Sequence, residues 1–344
     1  MGSHRRTAHS RLPGLDRNTR ATVLTVAAAS AAAALGAGPA GAAPQDEPAE
    51  TKAQVDRLYE QAEQATEAYN KAGERAGRLR TELRATQDQV ARGQERINEM
   101  RRALGLLAGA QYRSGGVDPA LALMLSSDPD SYLDRAGTLD RISSRNAGEL
   151  TRLRTAQRDL AQERSEARRK LADLDASRKA VARHKHTVED KLARARQLLN
   201  SLPDADRAAY ERSSRGDERP DLTGAGPAAS GRAAAALAAA RSALGKPYVW
   251  GASGPSSFDC SGLMQWSYAQ AGVGLPRTSQ AQRYAGRQVP LSQARPGDLV
   301  AYGSDAHHIG IYAGNGQVIH APHPGAPVRY DPVGMMPVSS VTRV

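Results

Sequence analysis

A chain of 344 residues with a formal net charge of +11, one Phe, two Trp and one Cys is too unevenly composed to form one uniform globule. The lone Cys260 excludes an internal disulfide and leaves three roles: a buried small hydrophobe, an intermolecular pairing site or a reactive thiol. The basic excess favours anionic partners, or is simply a soluble basic surface.

The N-terminus reads as an export signal. Arg5, Arg6, Arg11, Arg17 and Arg20 precede an uncharged run from Ala21 to Leu35, and Pro39 with Ala40-Gly41-Ala42 supplies a breaker and a small-residue cleavage site. The run is mostly Ala and falls short of the roughly 20 residues a membrane span needs. Residues 1–43 are therefore expected to be a signal peptide cut after Ala42 or Ala43, with Arg5-Arg6 leaving Sec and twin-arginine export both open. For an exported chain, the anionic partner implied by the charge is a cell wall, and no nucleic acid is expected.

Residues 44–200 carry two heptad runs. In the first, Val55, Ala62, Tyr69, Ala76, Leu83, Val90, Ile97 and Leu104 interleave with Leu58, Ala65, Ala72, Leu79, Thr86, Gly93, Met100 and Leu107. In the second, Leu153, Leu160, Ala167, Leu174, Val181 and Val188 interleave with Leu150, Leu171, Leu192 and Leu199. Neither stripe can be buried alone, so the pair predicts a long antiparallel coiled-coil hairpin, with arms of roughly 80 to 90 Å at helical rise. Ser114-Gly115-Gly116, Asp118-Pro119 and Ser126-Ser127-Asp128-Pro129 bracket a tip with one short helix around Leu121 to Leu125. His184 and His186, set among Arg and Lys, read as solvated surface. Residues 201–231, rich in Pro, Gly, Ser, Asp and Arg, read as a flexible linker.

Residues 232–344 change character. An Ala-rich helix from Arg232 to Leu244 and a second from Cys260 to Ala271 precede short β-rich stretches at Leu299 to Tyr302, His308 to Ala313, Gln317 to His320 and Val338 to Val344, which predicts an α+β domain. Phe258-Asp259-Cys260-Ser261-Gly262 places the thiol at a helix start, where unpaired N–H groups and the dipole favour thiolate. A nucleophilic thiol also needs an imidazole to hold its proton and deliver it to the leaving amine. His308 on its strand shares a face with Gly310 and Tyr312, whereas His307 points the opposite way. A two-residue Asn315-Gly316 turn would put His308 and His320 on opposite faces. A three-residue loop, with Ala313 paired to Gln317 and Gly316 left-handed, brings both onto one face, and this odd-length loop is the expectation. His320 can then orient His308.

These residues resemble the NlpC family of bacterial peptidoglycan endopeptidases. The motifs are Lys246-Pro247-Tyr248-Val249-Trp250-Gly251, Asp259-Cys260-Ser261-Gly262-Leu263, Pro276-Arg277-Thr278-Ser279-Gln280, Pro296-Gly297-Asp298-Leu299-Val300, His308-Ile309-Gly310-Ile311-Tyr312 and Val318-Ile319-His320-Ala321, covering nearly all of 232–344. The chain departs from the family's frequent paired glycines at Gly251-Ala252. The resemblance implies a papain-like fold and a cysteine peptidase that needs neither metal nor organic cofactor. Cys260 is then nucleophile, His308 base, His320 orienting residue and Tyr248 a helper of the oxyanion-binding N–H. It implies cleavage of the stem peptide between D-glutamate and a diamino acid outside the membrane. Asp259 and Ser261 line the substrate groove or cap the Cys helix; Arg277 contacts a substrate carboxylate or fixes its loop; Trp250 is packing or a sugar platform. The helical part is similar to that of members that dock on a membrane division complex of the FtsEX type. Two other readings stay open: a wall-binding scaffold with a weak catalytic domain, and an amidase or acyl-transferase on the same fold.

Overall fold

The computed structural model describes residues 46–113, 119–125, 132–215 and 226–344. The expected signal peptide and the expected breaks at Ser114-Gly115-Gly116 and Ser126 to Pro129 lie outside the described residues. Helices α1 (Asp46–Arg113) and α3 (Tyr132–Ser201) are the two arms, and α2 (Pro119–Met124) is a short helix at the tip. At about 1.5 Å per residue each arm is roughly 100 Å long, more than expected because both helices run on past the heptad stripe. The arms are antiparallel: Val55 and Leu58 cluster with Val188, Leu192 and Ala195, while Ala76, Leu79 and Leu83 cluster with Leu174. Where α1 passes Leu160, a Cβ on Gly93 would sit 3.3 Å from the Leu160 Cδ1, so the missing side chain lets the helices approach.

In α1 the buried positions follow both expected rows, from Val55 and Leu58 to Thr86 and Ile97. In α3 one row does, and the other only at its C-terminal end, where Leu192 is buried and Leu199 packs beside it. Leu160, Leu174 and Val188 are buried, but Leu150 and Leu171 are 44% and 55% exposed. The second row of α3 instead passes through Lys170, Ser177 and Lys191, one position before the leucine at 171. Lys170 donates to Thr86 Oγ1 at 3.0 Å and Lys191 to Gln61 Oε1 at 2.6 Å, laying their apolar stems along the seam and their ammonium groups at its edge. His184 also lies on this row, half-buried rather than on the solvated surface.

The stretch read as a linker contains a helix, α4 (Asp204–Arg215). It has no core of its own and is held by α1: Lys52 pairs with Asp206 at 2.8 Å and the Tyr210 hydroxyl donates to Asp56 at 2.6 Å. The remainder, 216–225, lies outside the described residues.

The C-terminal part comprises α5 (Gly231–Ser242), α6 (Cys260–Gln270), α7 (Ser279–Gln282) and strands β1 (Arg287–Val289), β2 (Leu299–Tyr302), β3 (His308–Gly314), β4 (Gln317–His320), β5 (Arg329–Pro332) and β6 (Val338–Arg343). The strands form one antiparallel sheet in the order β1-β6-β2-β3-β4-β5. Helices α5 and α6 cover one face, burying Leu237, Leu263, Met264 and Tyr268 against Ile309 and Ile311. Val300, Tyr302, Val318 and Val341 form a smaller cluster on the other face. The outermost strands β1 and β5 were not expected; short, charged and in β5 ending on Pro332, they carry edge-strand chemistry rather than a core alternation. Among the described residues no helix is long and apolar enough to cross a membrane.

Candidate active site

Cys260 is the first residue of α6, and Asp259 caps that helix, its Oδ1 accepting from the Gly262 N–H at 2.6 Å. Gly262 is required by contact: a Cβ there would lie 2.1 Å from the Ala252 carbonyl oxygen, so only glycine lets α6 start this close to the preceding loop. Asp259 does more than cap. Its other oxygen accepts from the Gly251 N–H at 2.9 Å, and Arg277 grips the carboxylate with both terminal nitrogens at 3.0 and 2.5 Å, reaching Ser261 Oγ at 2.9 Å. Arg277 therefore fixes its loop to the Cys helix, and Asp259 is the hub on which they meet.

His308 and His320 lie on one face of the sheet, with His308 Nε2 2.7 Å from His320 Nδ1. The device differs from the expected odd-length loop. Gly314 pairs with Gln317, so the turn is the two-residue Asn315-Gly316, both with positive φ, and the odd residue is a bulge between Tyr312 and Gly314. Because a bulge shifts the pairing parity as an extra loop residue would, Gly310 still lies beside His320, where an added Cβ would be 3.2 Å from the His320 Cβ. His307 points elsewhere, its Nδ1 2.5 Å from Asp305. His320 is in turn held by a residue that the sequence reading missed: Asp331 Oδ2 lies 2.7 Å from His320 Nε2 and accepts from Arg329 Nε at 2.8 Å.

The expected residues are brought together, but the groove is filled. From Tyr59 to Asn70, α1 is buried on a second face besides its coiled-coil seam. Glu63 Oε1 lies 2.7 Å from His308 Nδ1. Glu67 accepts from Ser261 Oγ at 2.7 Å and from the Ser279 N–H at 2.8 Å, and its Oε1 is 3.8 Å from the Cys260 sulfur. Asn70 donates to Asp259 at 3.1 Å, Tyr69 meets Trp250 edge-on at 5.2 Å, and Tyr59 stacks on His323 at 4.5 Å. Trp250 is thus a packing surface for α1. The Cys260 sulfur is buried under carboxylates rather than apolar side chains, and no substrate can reach it while α1 is seated.

The electrostatics follow from this plug. Burial pushes the Cys260 thiol well above its ordinary value, and Glu67, Glu63 and Asp259 add to it, outweighing the Ser261 N–H that favours thiolate at the helix start. The expected thiolate is therefore not the docked form, because docking brings two carboxylates that the domain's own sequence lacks. Burial likewise raises Glu67 to about 7, with Asp259 adding to the shift and Ser261, the Ser279 N–H and Arg277 opposing it. Burial, then Glu63, Cys260 and Asp259, hold the Tyr248 phenol protonated, hence a hydrogen-bond donor beside the thiol. Glu63, Cys260 and His308 each offer one metal-ligand atom within 4.8 Å of the others. The contact between Glu63 and His308 accounts for that closeness without an ion.

Glu63, Glu67, Asn70 and Asp331 carried no sequence signal of their own. On a helix, Glu63, Glu67 and Asn70 fall outside the heptad rows, where a polar residue needs no partner but water, and nothing in a strand as short as β5 marks Asp331.

Comparison with known proteins places residues 245–341 in a match to the NlpC/P60 family. A probable endopeptidase of Corynebacterium glutamicum is 49% identical over 119 residues, covering 35% of this chain and 56% of that protein. The probable endopeptidase p60 of Listeria monocytogenes is 52% identical over 97 residues, 28% of this chain and 20% of that protein. The chain thus spans about half or less of the length of these relatives. Among solved structures, the NlpC/p60 domain of the peptidoglycan hydrolase SagA is 38% identical, with 33% of this chain and 98% of that one covered at a TM-score of 0.31.

Proposed function

We propose, for a chain that belongs through its C-terminal domain to the NlpC/P60 family, that it is a cysteine endopeptidase hydrolysing peptidoglycan stem peptides at the D-glutamyl to diamino-acid bond, in wall remodelling or cell separation. The observation that carries this reading is the buried cluster in which Cys260 lies within 4.8 Å of His308, itself hydrogen-bonded to His320. The Cys260 sulfur attacks the peptide carbonyl as its proton passes to His308. The Cys260 N–H and the Tyr248 hydroxyl stabilise the oxyanion, a contribution of several kcal/mol in such sites. His308 then protonates the leaving amine, and water hydrolyses the acyl-enzyme. The seat taken by Glu67 supports a carboxylate-binding role for Ser261, joined by the Ser279 N–H, with Arg277 as the positive charge behind them and Asp259 as the hub that fixes all three.

In this reading the helical arm holds the domain back until a partner lifts α1 from the groove. Leu106, Tyr112, Met124, Leu125 and Leu133, 73% to 84% exposed near the tip, support docking on an FtsEX-type membrane division complex, and the N-terminal arginines with the alanine run support export to the wall.

The test is digestion of purified peptidoglycan by the mature chain carrying Glu63→Ala and Glu67→Ala, with the fragments identified by mass spectrometry. Cleavage at the D-glutamyl bond that disappears with a further Cys260→Ala is the expected result. Cleavage that survives Cys260→Ala, or falls at the amide joining peptide to sugar, would overturn it.

A further inference from the structure

Beyond Cys260, His308 and His320 stands a carboxylate to which nothing so far gives a part in the reaction. Strands β4 and β5 pair His320 with Arg329 and Val318 with Asp331, so His320 and Asp331 are diagonal neighbours on one face. His320 is buried and its Nε2 lies 2.7 Å from Asp331 Oδ2, while its Nδ1 lies 2.7 Å from His308 Nε2. We propose that Asp331 is a positioning residue that sets the tautomer of His320 and, through it, the tautomer of His308, leaving on His308 the lone pair that takes the thiol proton.

A neutral imidazole has one N–H and one bare nitrogen, and an ionised carboxylate can only accept. His320 stays neutral across the working range, since burial, helped by the charges of His308 and Arg329 and opposed by Asp331, lowers it to about 4. Burial pushes the Asp331 carboxyl up, but its bond to His320 and the charge and hydrogen bond of Arg329 outweigh that and leave it below its ordinary value. The N–H of His320 must therefore sit on Nε2, facing Asp331. Its Nδ1 is then bare, so the hydrogen between the two rings belongs to His308 Nε2, and the free lone pair of His308 is on Nδ1. That nitrogen is the one Glu63 covers in the docked state, its Oε1 2.7 Å away, so the thiol cannot use it while α1 is seated. Without Asp331, His320 can place its N–H on Nδ1. His308 must then accept on Nε2 and carry its own N–H on Nδ1, the nitrogen that should be empty.

Arg329 completes the arrangement. Its Nε donates to the same Asp331 oxygen at 2.8 Å, and its Nη1 donates to the Ser214 carbonyl at the end of α4. The carboxylate is thus held from behind by a guanidinium that is itself anchored on α4.

This assignment rests on the cysteine-peptidase reading, and its test has one arm that does not. In the full mature chain carrying Glu63→Ala and Glu67→Ala, Asp331→Asn replaces an acceptor by an amide able to donate to Nε2, and Asp331→Glu keeps the acceptor. Asp331→Asn is expected to lower kcat by about a hundredfold with KM within about twofold, while Asp331→Glu recovers part of the loss. Nitrogen-15 NMR of ring-labelled histidines should show Nε2–H on both His308 and His320 in the parent and loss of that state at His320 in Asp331→Asn. Unchanged kcat, a loss confined to KM, or Nε2–H persisting at His320 in Asp331→Asn would each overturn the proposal. If Asp331→Asn does not fold, the parent spectrum decides: a bare Nε2 on His320 sinks the assignment. Failure of the parent to cut peptidoglycan would instead count against the peptidase reading, while the ring spectra still judge Asp331.

Discussion

The two ends of α1 invert the usual rule for a surface helix. Near the catalytic domain it buries Glu63 and Glu67, to 6% and 2% exposure, whereas toward the tip it leaves Leu106 and Tyr112 at 73% and 84%. Charges are seldom buried unless paired, and contiguous apolar surface is seldom left open unless something covers it. Both ends use the same heptad repeat, so the seam explains neither. The proximal inversion is explained by what the helix touches: His308, Ser261 and the Ser279 N–H give these carboxylates partners that water would otherwise supply. A docked helix of this kind is held by polar complementarity, which makes it removable in a way that an apolar interface of equal size is not.

Removing the proximal charges tests this contrast between the two ends most severely. Glu63→Ala with Glu67→Ala should leave the coiled coil folded, since neither residue lies on its seam, and raise the alkylation rate of Cys260 by at least about a hundredfold, as opening removes both the cover and two carboxylates. An unchanged rate would mean that α1 does not lose its seat with those two bonds. Next in size is a pair of leucines. Leu192→Ala, buried at 6% in the proximal seam, should cost about 2 to 5 kcal/mol by chemical denaturation. Leu107→Ala, 51% exposed toward the tip, should cost no more than about 0.5 kcal/mol. Equal costs would erase the difference between the two ends.

The smallest effect is one of pH. Docking raises Glu67 from its ordinary 4.5 to about 7, with Asp259, Arg277 and the Cys260 thiol facing it from the domain. The seated helix therefore holds a proton that the released one gives up. This contribution to docking is fully present below about 4.5 and is lost as pH rises through about 7. Fluorescence of Trp250, which packs on Tyr69, should shift toward the exposed form across that interval, and Glu67→Gln should flatten the change. A shift of equal size in Glu67→Gln would assign the titration to another group.

Much of the molecule was legible in its residues. The antiparallel arms, the α+β domain, the helix starting at Cys260 and the common face of His308 and His320 all follow from periodicity, caps and strand alternation, which are local. The errors share a cause as well. Leu150 and Leu171 were placed on the seam because a hydrophobic pattern cannot distinguish a leucine on the seam from one a residue away when lysine stems can take its place. The histidine geometry came from the parity of the β3–β4 connection, and parity is all that a sequence fixes there: a bulge at Ala313 and an extra loop residue are interchangeable in that count.

What the chain's own order of residues determined is therefore each part: two arms that need one another, and a domain with a thiol at a helix start and imidazoles on neighbouring strands. Their relation arose only in the folded chain. Glu63, Glu67 and Asn70 become a plug because α1 meets a domain distant in sequence, and Asp331 becomes the carboxylate behind His320 because β5 pairs with β4. No periodicity records such meetings, since the free energy of a buried carboxylate depends on partners that local residue order does not name.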